Sequence, residues 1–150
     1  MKGEAQAHAY YNHYLKMFEK ILGNKATTTE QLNKTAVKVF GNKYAGTFAR
    51  DLVDETTLNS KTPYAIINNE TSQEDGEHWI CVAYHRGKLY AYDSYGNDIL
   101  TLVPELKMYK HIENSDRDAE QFGTEANCGA RCLAFLNVFD KHGKNMAMKI

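Results

Sequence analysis

The sequence predicts an α+β fold, a small central β-sheet flanked by helices. Apolar residues recur at helical spacing in the first 22 residues, again from Leu32 to Phe40, and again from Ala130 to Phe139. Between these stretches, residues 64–68 and 78–96 carry strand-like runs, the second folded about a Gly-containing turn. With 150 residues the chain is long enough to bury a real core as one domain.

Charge and cysteine content narrow the function classes. Eighteen basic residues stand against nineteen acidic ones, a formal net charge of −1, so no global basic field points to nucleic acid. The sequence contains neither an apolar run near membrane-spanning length nor a signal-peptide pattern, and no membrane association is expected. Three cysteines without a secretory signal fit free thiols in a reducing compartment. The ten tyrosines have no specific assignment beyond core and rim packing.

In chain order, Met1 to Leu22 reads as a helix whose stripe is Tyr11, Tyr14, Leu15, Phe18, Ile21 and Leu22, stopped by Gly23-Asn24. It is expected to dock without taking part in chemistry, with His8 and His13 at the surface. Thr27 to Gln31 offers two overlapping capping boxes, Thr27 with Glu30 and Thr28 with Gln31. The helix that follows buries Leu32, Ala36, Val39 and Phe40 and ends at Gly41. From Asn42 to Lys61 the pattern is irregular, anchored by Tyr44 and Phe48. Tyr64 to Asn68 is a short strand, and Asn69 to Glu77 a polar loop. After the hairpin, an apolar run from Ile99 to Val103 precedes Pro104, and residues 105–120 pass from helical composition into a polar loop.

The stretch from His78 to Gly96 reads as a β-hairpin turning at Arg86-Gly87. A two-residue loop sets residue 85 opposite 88 and Asp93 opposite Ile80. Opposed residues share a face, as do residues two apart on one strand. His78 and Asp93 then lie on one face as diagonal neighbours, about 7–8 Å apart at Cα, a gap that an imidazole and a carboxylate can bridge.

Near the end, Asn127 is a suitable helix N-cap, and Ala130, Leu133, Leu136, Val138 and Phe139 continue an apolar helix. Cys128 falls at the first helical position, where the positive end of the helix dipole favours thiolate over thiol. Free backbone N–H groups there are the raw material of an oxyanion hole. Gly129 follows and would let a substrate backbone approach closely.

A cysteine nucleophile needs a base, a group to orient that base, and donors for the oxyanion. The chain offers them in the order His78, Asp93, Gln121, Cys128. No metal or cofactor is expected. Cys128 and Cys132 are four apart, without a CxxC or HxxxH companion, and no Gly-rich phosphate loop is present. Cys132 and Cys81 read as core, and His85, His111 and His142 as surface residues.

Gly76-Glu77-His78-Trp79, Tyr92-Asp93-Ser94-Tyr95-Gly96, and Gln121 seven positions before the cysteine of Ala126-Asn127-Cys128-Gly129 together resemble the adenovirus maturation proteases (adenains). These belong to the wider clan that contains the SUMO- and ubiquitin-like-protein peptidases. Further similarity at Thr28-Thr29-Glu30-Gln31-Leu32, Gly46-Thr47-Phe48 and Ala65-Ile66-Ile67-Asn68 extends the likeness from Thr28 to Phe139. Residues 1–25 form an extra helix outside it, and residues 1–150 are taken as a single cysteine protease domain.

The resemblance implies an α+β fold with the nucleophile at a helix N-terminus packed on a small sheet. It implies Cys128 as nucleophile and His78 as base. Asp93 would orient His78, standing where adenoviral enzymes have a glutamate and SUMO peptidases an aspartate. Gln121 would be the oxyanion donor, Trp79 a wall of the substrate channel, and Asn127 and Gly129 would contact substrate. The implied function is maturation of viral capsid or core precursor proteins by a monomer acting at assembly sites in the host cytoplasm or nucleus and packaged in the virion. Adenoviral enzymes are basic and use DNA and a short viral peptide as activators. This chain is near neutral, and no cysteine matches the one that bonds that peptide, so both activators are in question. The sequence also lacks a counterpart of the adenoviral C-terminal region. The alternatives are a deconjugating peptidase for a ubiquitin-like protein and an inactive binding module of the same fold.

Overall fold

The computed structural model describes residues 3–23, 26–73, 78–121 and 126–150. Asn24 of the expected helix stop, Gly76 and Glu77 of the motif, and residues 122–125 before the cysteine helix lie outside them.

The architecture is α+β, built on a mixed five-stranded sheet in the order β1-β2-β3-β4-β5. The strands are β1 (Tyr44–Ala49), β2 (Tyr64–Asn68), β3 (Trp79–His85), β4 (Lys88–Tyr92) and β5 (Ile112–Asn114). The two outer pairs, β1 with β2 and β4 with β5, are parallel, and the inner pairs are antiparallel. The β3–β4 turn is the expected two-residue one. His85 pairs with Lys88, and both Arg86 (φ 49°) and Gly87 (φ 83°) take the left-handed conformation that a type I′ turn requires.

Helix α1 (Glu4–Leu22) and helix α2 (Thr29–Phe40) precede the sheet, a short α3 (Ile99–Leu102) follows β4, and α4 (Cys128–His142) leads into the single turn α5 (Lys144–Ala147). Of the two capping boxes, the chain uses Thr28 with Gln31: the Thr28 hydroxyl accepts from the Gln31 amide, and the Gln31 side chain accepts from the Thr28 amide. In α1 the buried stripe is Ala7, Tyr11, Leu15 and Phe18, whereas Ile21 is exposed. In α2 Thr35 is buried and Val39 only partly so.

Both faces of the sheet are covered. Ile66, Cys81, Ala83, Tyr90 and Tyr92 face a cluster formed with α1, α2, α4 and α5. Ala65, Ile67, Ile80, Val82, Leu89 and Ala91 face Val53, Leu58, Ile99, Val103 and Leu106. This double burial explains why β2 is buried throughout and apolar from Tyr64 to Ile67. Helix α4 is the centre of the first layer, buried from Cys128 to Phe139. Among the described residues no helix is long and apolar enough to cross a membrane.

Two strands depart from the sequence expectation. β1 lies within the stretch read as irregular, where a bulge between Tyr44 and Gly46 breaks the period-2 pattern. β5 is only three residues long, and its parallel pairing with β4 comes from tertiary contact.

Candidate active site

His78 lies immediately before β3 and Asp93 immediately after β4. The ladder ends at Cys81 opposite Tyr92, so Asp93 and Ile80 are not a ladder pair, but the expected parity survives. His78 Nε2 and Asp93 Oδ1 are 2.5 Å apart. The second carboxylate oxygen of Asp93 accepts from the Asn97 amide and from Asn97 Nδ2, both at 2.9 Å. On the other side, the His78 backbone is clamped to Asn69: its N–H donates to Asn69 Oδ1 and its carbonyl accepts from the Asn69 amide, both at 3.0 Å. The ring lies 5.0 Å from that of Tyr95.

Burial opposes a charge on the His78 ring, but its hydrogen bonds with Asp93 and Cys128 prevail and raise its pKa from 6.5 to about 9. For Asp93, burial raises the carboxyl, but the His78 and Asn97 bonds hold it below its ordinary range. The pair is therefore an imidazolium and a carboxylate at neutral pH.

Cys128 is the first residue of α4 and is 8% exposed. Its Sγ accepts from the Trp79 backbone N–H at 3.4 Å and lies close enough to the His78 ring to help raise that ring's pKa. Asn127, expected to cap this helix through its side chain, makes no such bond. Its Oδ1 accepts instead from Arg131 Nε at 3.0 Å. The first-turn amides beside Cys128 are therefore not taken up by that side chain.

Gln121 is 2% exposed. Ser94 Oγ donates to its Oε1 at 2.6 Å, and the Ser94 carbonyl accepts from the Gln121 amide at 3.0 Å. Serine thus holds the carbonyl end of the side chain and turns the Nε2 end, the donor, away from itself.

These groups meet in a cleft of about 510 Å³ lined by His78, Trp79, Tyr95, Gln121 and Cys128, with Asn68, Ala126 and residues 26–29 completing its wall. Trp79 is fixed there by its indole N–H donating to the Thr27 carbonyl at 3.2 Å. Neither Asn127 nor Gly129 lines it. A Cβ at Gly129 would lie 2.3 Å from Thr27 Oγ1 and 2.8 Å from Leu32 Cδ2, so this glycine serves the close packing of α4 on the start of α2. Cys81 and Cys132 are buried core thiols; burial and the neighbouring Cys81 push Cys132 well up.

Asn97, Ser94, Asn69 and Tyr95 escaped the sequence reading as site residues. The Asp93-Ser94-Tyr95-Gly96-Asn97 run is itself a turn signal, and a turn after Asp93 could have suggested a second donor to its carboxylate. Away from the cleft, His8, Asp116 and Asp118 bring one ligand atom each within 4.8 Å of one another. Exposed acidic groups commonly gather in this way without an ion. Compared with known proteins, the chain matches no family model and no curated sequence.

Proposed function

We propose that the protein is a cysteine endopeptidase of the adenovirus-maturation type, with the adenain-like fold. The observation that carries this reading is the convergence in one cleft of Cys128 at a helix N-terminus, a His78–Asp93 pair joined at 2.5 Å, and a Gln121 side chain held by its carbonyl end. The motif resemblance supports it independently.

In this mechanism the Cys128 proton already rests on His78, so that a thiolate stands beside the imidazolium before substrate arrives. The thiolate attacks the scissile carbonyl, and the negative charge that develops on its oxygen is met by Gln121 Nε2 and the Cys128 backbone N–H. His78 then gives the proton to the leaving amine, and a water activated by the same ring releases the acyl group. Asp93 holds the ring orientation throughout. The proposed substrates are viral capsid or core precursors, cleaved at assembly sites by an enzyme carried into the particle.

Wild type and Cys128→Ala incubated with a Gly-containing fluorogenic peptide library, beside ubiquitin- and SUMO-type substrates, test the reading. Peptide cleavage that is lost in Cys128→Ala is expected. No cleavage by wild type, or cleavage that persists in the variant, would refute it. Cleavage confined to ubiquitin-like substrates would make the protein a deconjugating peptidase.

A further inference from the structure

Resting on that reading, we infer that α1 is a working part of the active site, and that Tyr11 and Arg131 are positioning residues for the oxyanion hole. Glu120 immediately precedes Gln121, and Asn127 immediately precedes Cys128. A buried chain of hydrogen bonds joins these two flanking residues, and its central member comes from α1. Arg131 Nε donates to Asn127 Oδ1 at 3.0 Å, and Arg131 Nη1 donates to Tyr11 Oη at 3.1 Å. Tyr11 Oη lies 2.6 Å from Tyr92 Oη, and Tyr92 Oη donates to Glu120 Oε1 at 2.8 Å.

The proton directions in this chain are fixed. A guanidinium has no acceptor, so Tyr11 Oη must accept from Arg131. Tyr92 spends its proton on Glu120, so the Tyr11 proton goes to Tyr92. Burial raises the Glu120 carboxyl, and the hydrogen bond it shares with Asp118 raises it further while lowering that of Asp118. The chain therefore runs one way, from the Arg131 cation to the Asp118 carboxylate, and its dipoles reinforce one another. Glu4, His8 and Asp116 are the other titratable groups around its acidic end.

Packing makes the chain stiff. Tyr11 is 0% exposed, Tyr92 1% and Arg131 8%. The Tyr11 ring meets Tyr92 edge-on at 5.9 Å, and Tyr92 stacks on Phe135 of α4 at 4.7 Å. A helix that merely docks would do so with Phe at position 11. A buried hydroxyl that both accepts and donates costs desolvation unless its partners are fixed, and here they bear on the two segments that deliver Gln121 and Cys128. The chain sets the distance between the side-chain donor and the nucleophile, a distance on which oxyanion stabilisation depends.

The test uses the full chain, the cleaved fluorogenic peptide and a thermal melt of each variant. Tyr11→Phe should lower kcat roughly five- to hundredfold, the range carried by one lost buried hydrogen-bond partner, with KM changed less than about twofold. In a Gln121→Ala background the same change should cost kcat little, because the donor that it positions is already gone. Glu120→Gln should retain kcat, since an amide offers a carbonyl to Tyr92 and an N–H to Asp118, whereas Glu120→Leu should lose it; this pair decides the matter if Tyr11→Phe does not fold. Unchanged kcat in folded Tyr11→Phe, an equal fractional loss with and without Gln121, or equal kcat in the two Glu120 variants would overturn the inference while leaving the peptidase standing. An inactive wild type would instead refute the functional reading and this inference with it.

Discussion

His78 and Asp93 sit at the two ends of one hairpin and meet across 15 residues of chain, whereas Gln121 and Cys128 depend on partners far away in sequence. Gln121 is held by Ser94, 27 residues distant, and the turn carrying Cys128 is tied through Arg131 to Tyr11, 120 residues distant. The basic half of the cleft is thus fixed by local geometry, a two-residue turn and the alternation of a strand pair. The half that holds Gln121 and Cys128 is fixed by tertiary contacts between elements that pack together only in the finished fold. Substitutions in the first half should act through one local pair. Those in the second should reveal a spread of supporting contacts.

The largest effect is expected at the hairpin. His78→Ala should lower kcat/KM by about 10²–10⁴-fold, the range of a general base, and should also lower the melting temperature, because Asp93 loses its buried partner. Asp93→Asn removes a charged hydrogen bond and should cost less, roughly 10–150-fold. Near-normal turnover in His78→Ala would break the comparison at its firmest point. In the other half, Gln121→Ala should cost about 10²–10³ in kcat with little change in KM. Ser94→Ala, which frees the carbonyl end of Gln121 without removing the donor, should cost only about 2–10-fold. Equal losses in the two variants would mean that Ser94 does more than orient the amide.

The acid–base consequences sharpen the same contrast. His78 gains its partner bonds on folding, and its pKa rises from 6.5 to about 9. Its stabilising contribution is therefore complete below about pH 6.5 and lost as pH rises through about 9. The proton destined for the leaving amine is held over the same window, so kcat/KM should fall on the alkaline side near pH 9. Asp93→Asn should move that limb to lower pH, and a pH–rate profile of both proteins checks it. The smallest effect on chemistry is expected at Gly129→Ala. Its new methyl would press on Thr27 and Leu32, costing about 1–3 kcal/mol of stability as overpacking does, read as a lowered melting temperature.

The same division governs what the sequence reveals. The helix stripes, the capping box, the β2 run and the Arg86-Gly87 turn are local signals, and the His78–Asp93 pairing follows from the turn by counting alone. β1 and β5 leave weak traces because a bulge interrupts one and the other is three residues of edge strand. Asn127 looks like a cap because its residue type favours that role, and only the fold reveals that Arg131 claims its side chain. Tyr11 reads as one more member of an apolar stripe, since nothing nearby in sequence announces the arginine and tyrosine that its hydroxyl meets.

The central claim is that Cys128 is a nucleophile served by His78, and it is tested most directly on the thiol itself. Limiting iodoacetamide at neutral pH, followed by mass spectrometry over time, gives the alkylation rate of each cysteine in wild type and in His78→Ala. The account predicts that Cys128 reacts first in wild type and about tenfold or more slowly in His78→Ala, because the ring that takes its proton is gone. Equal Cys128 rates in the two proteins, or earlier modification of Cys81 or Cys132, would contradict it.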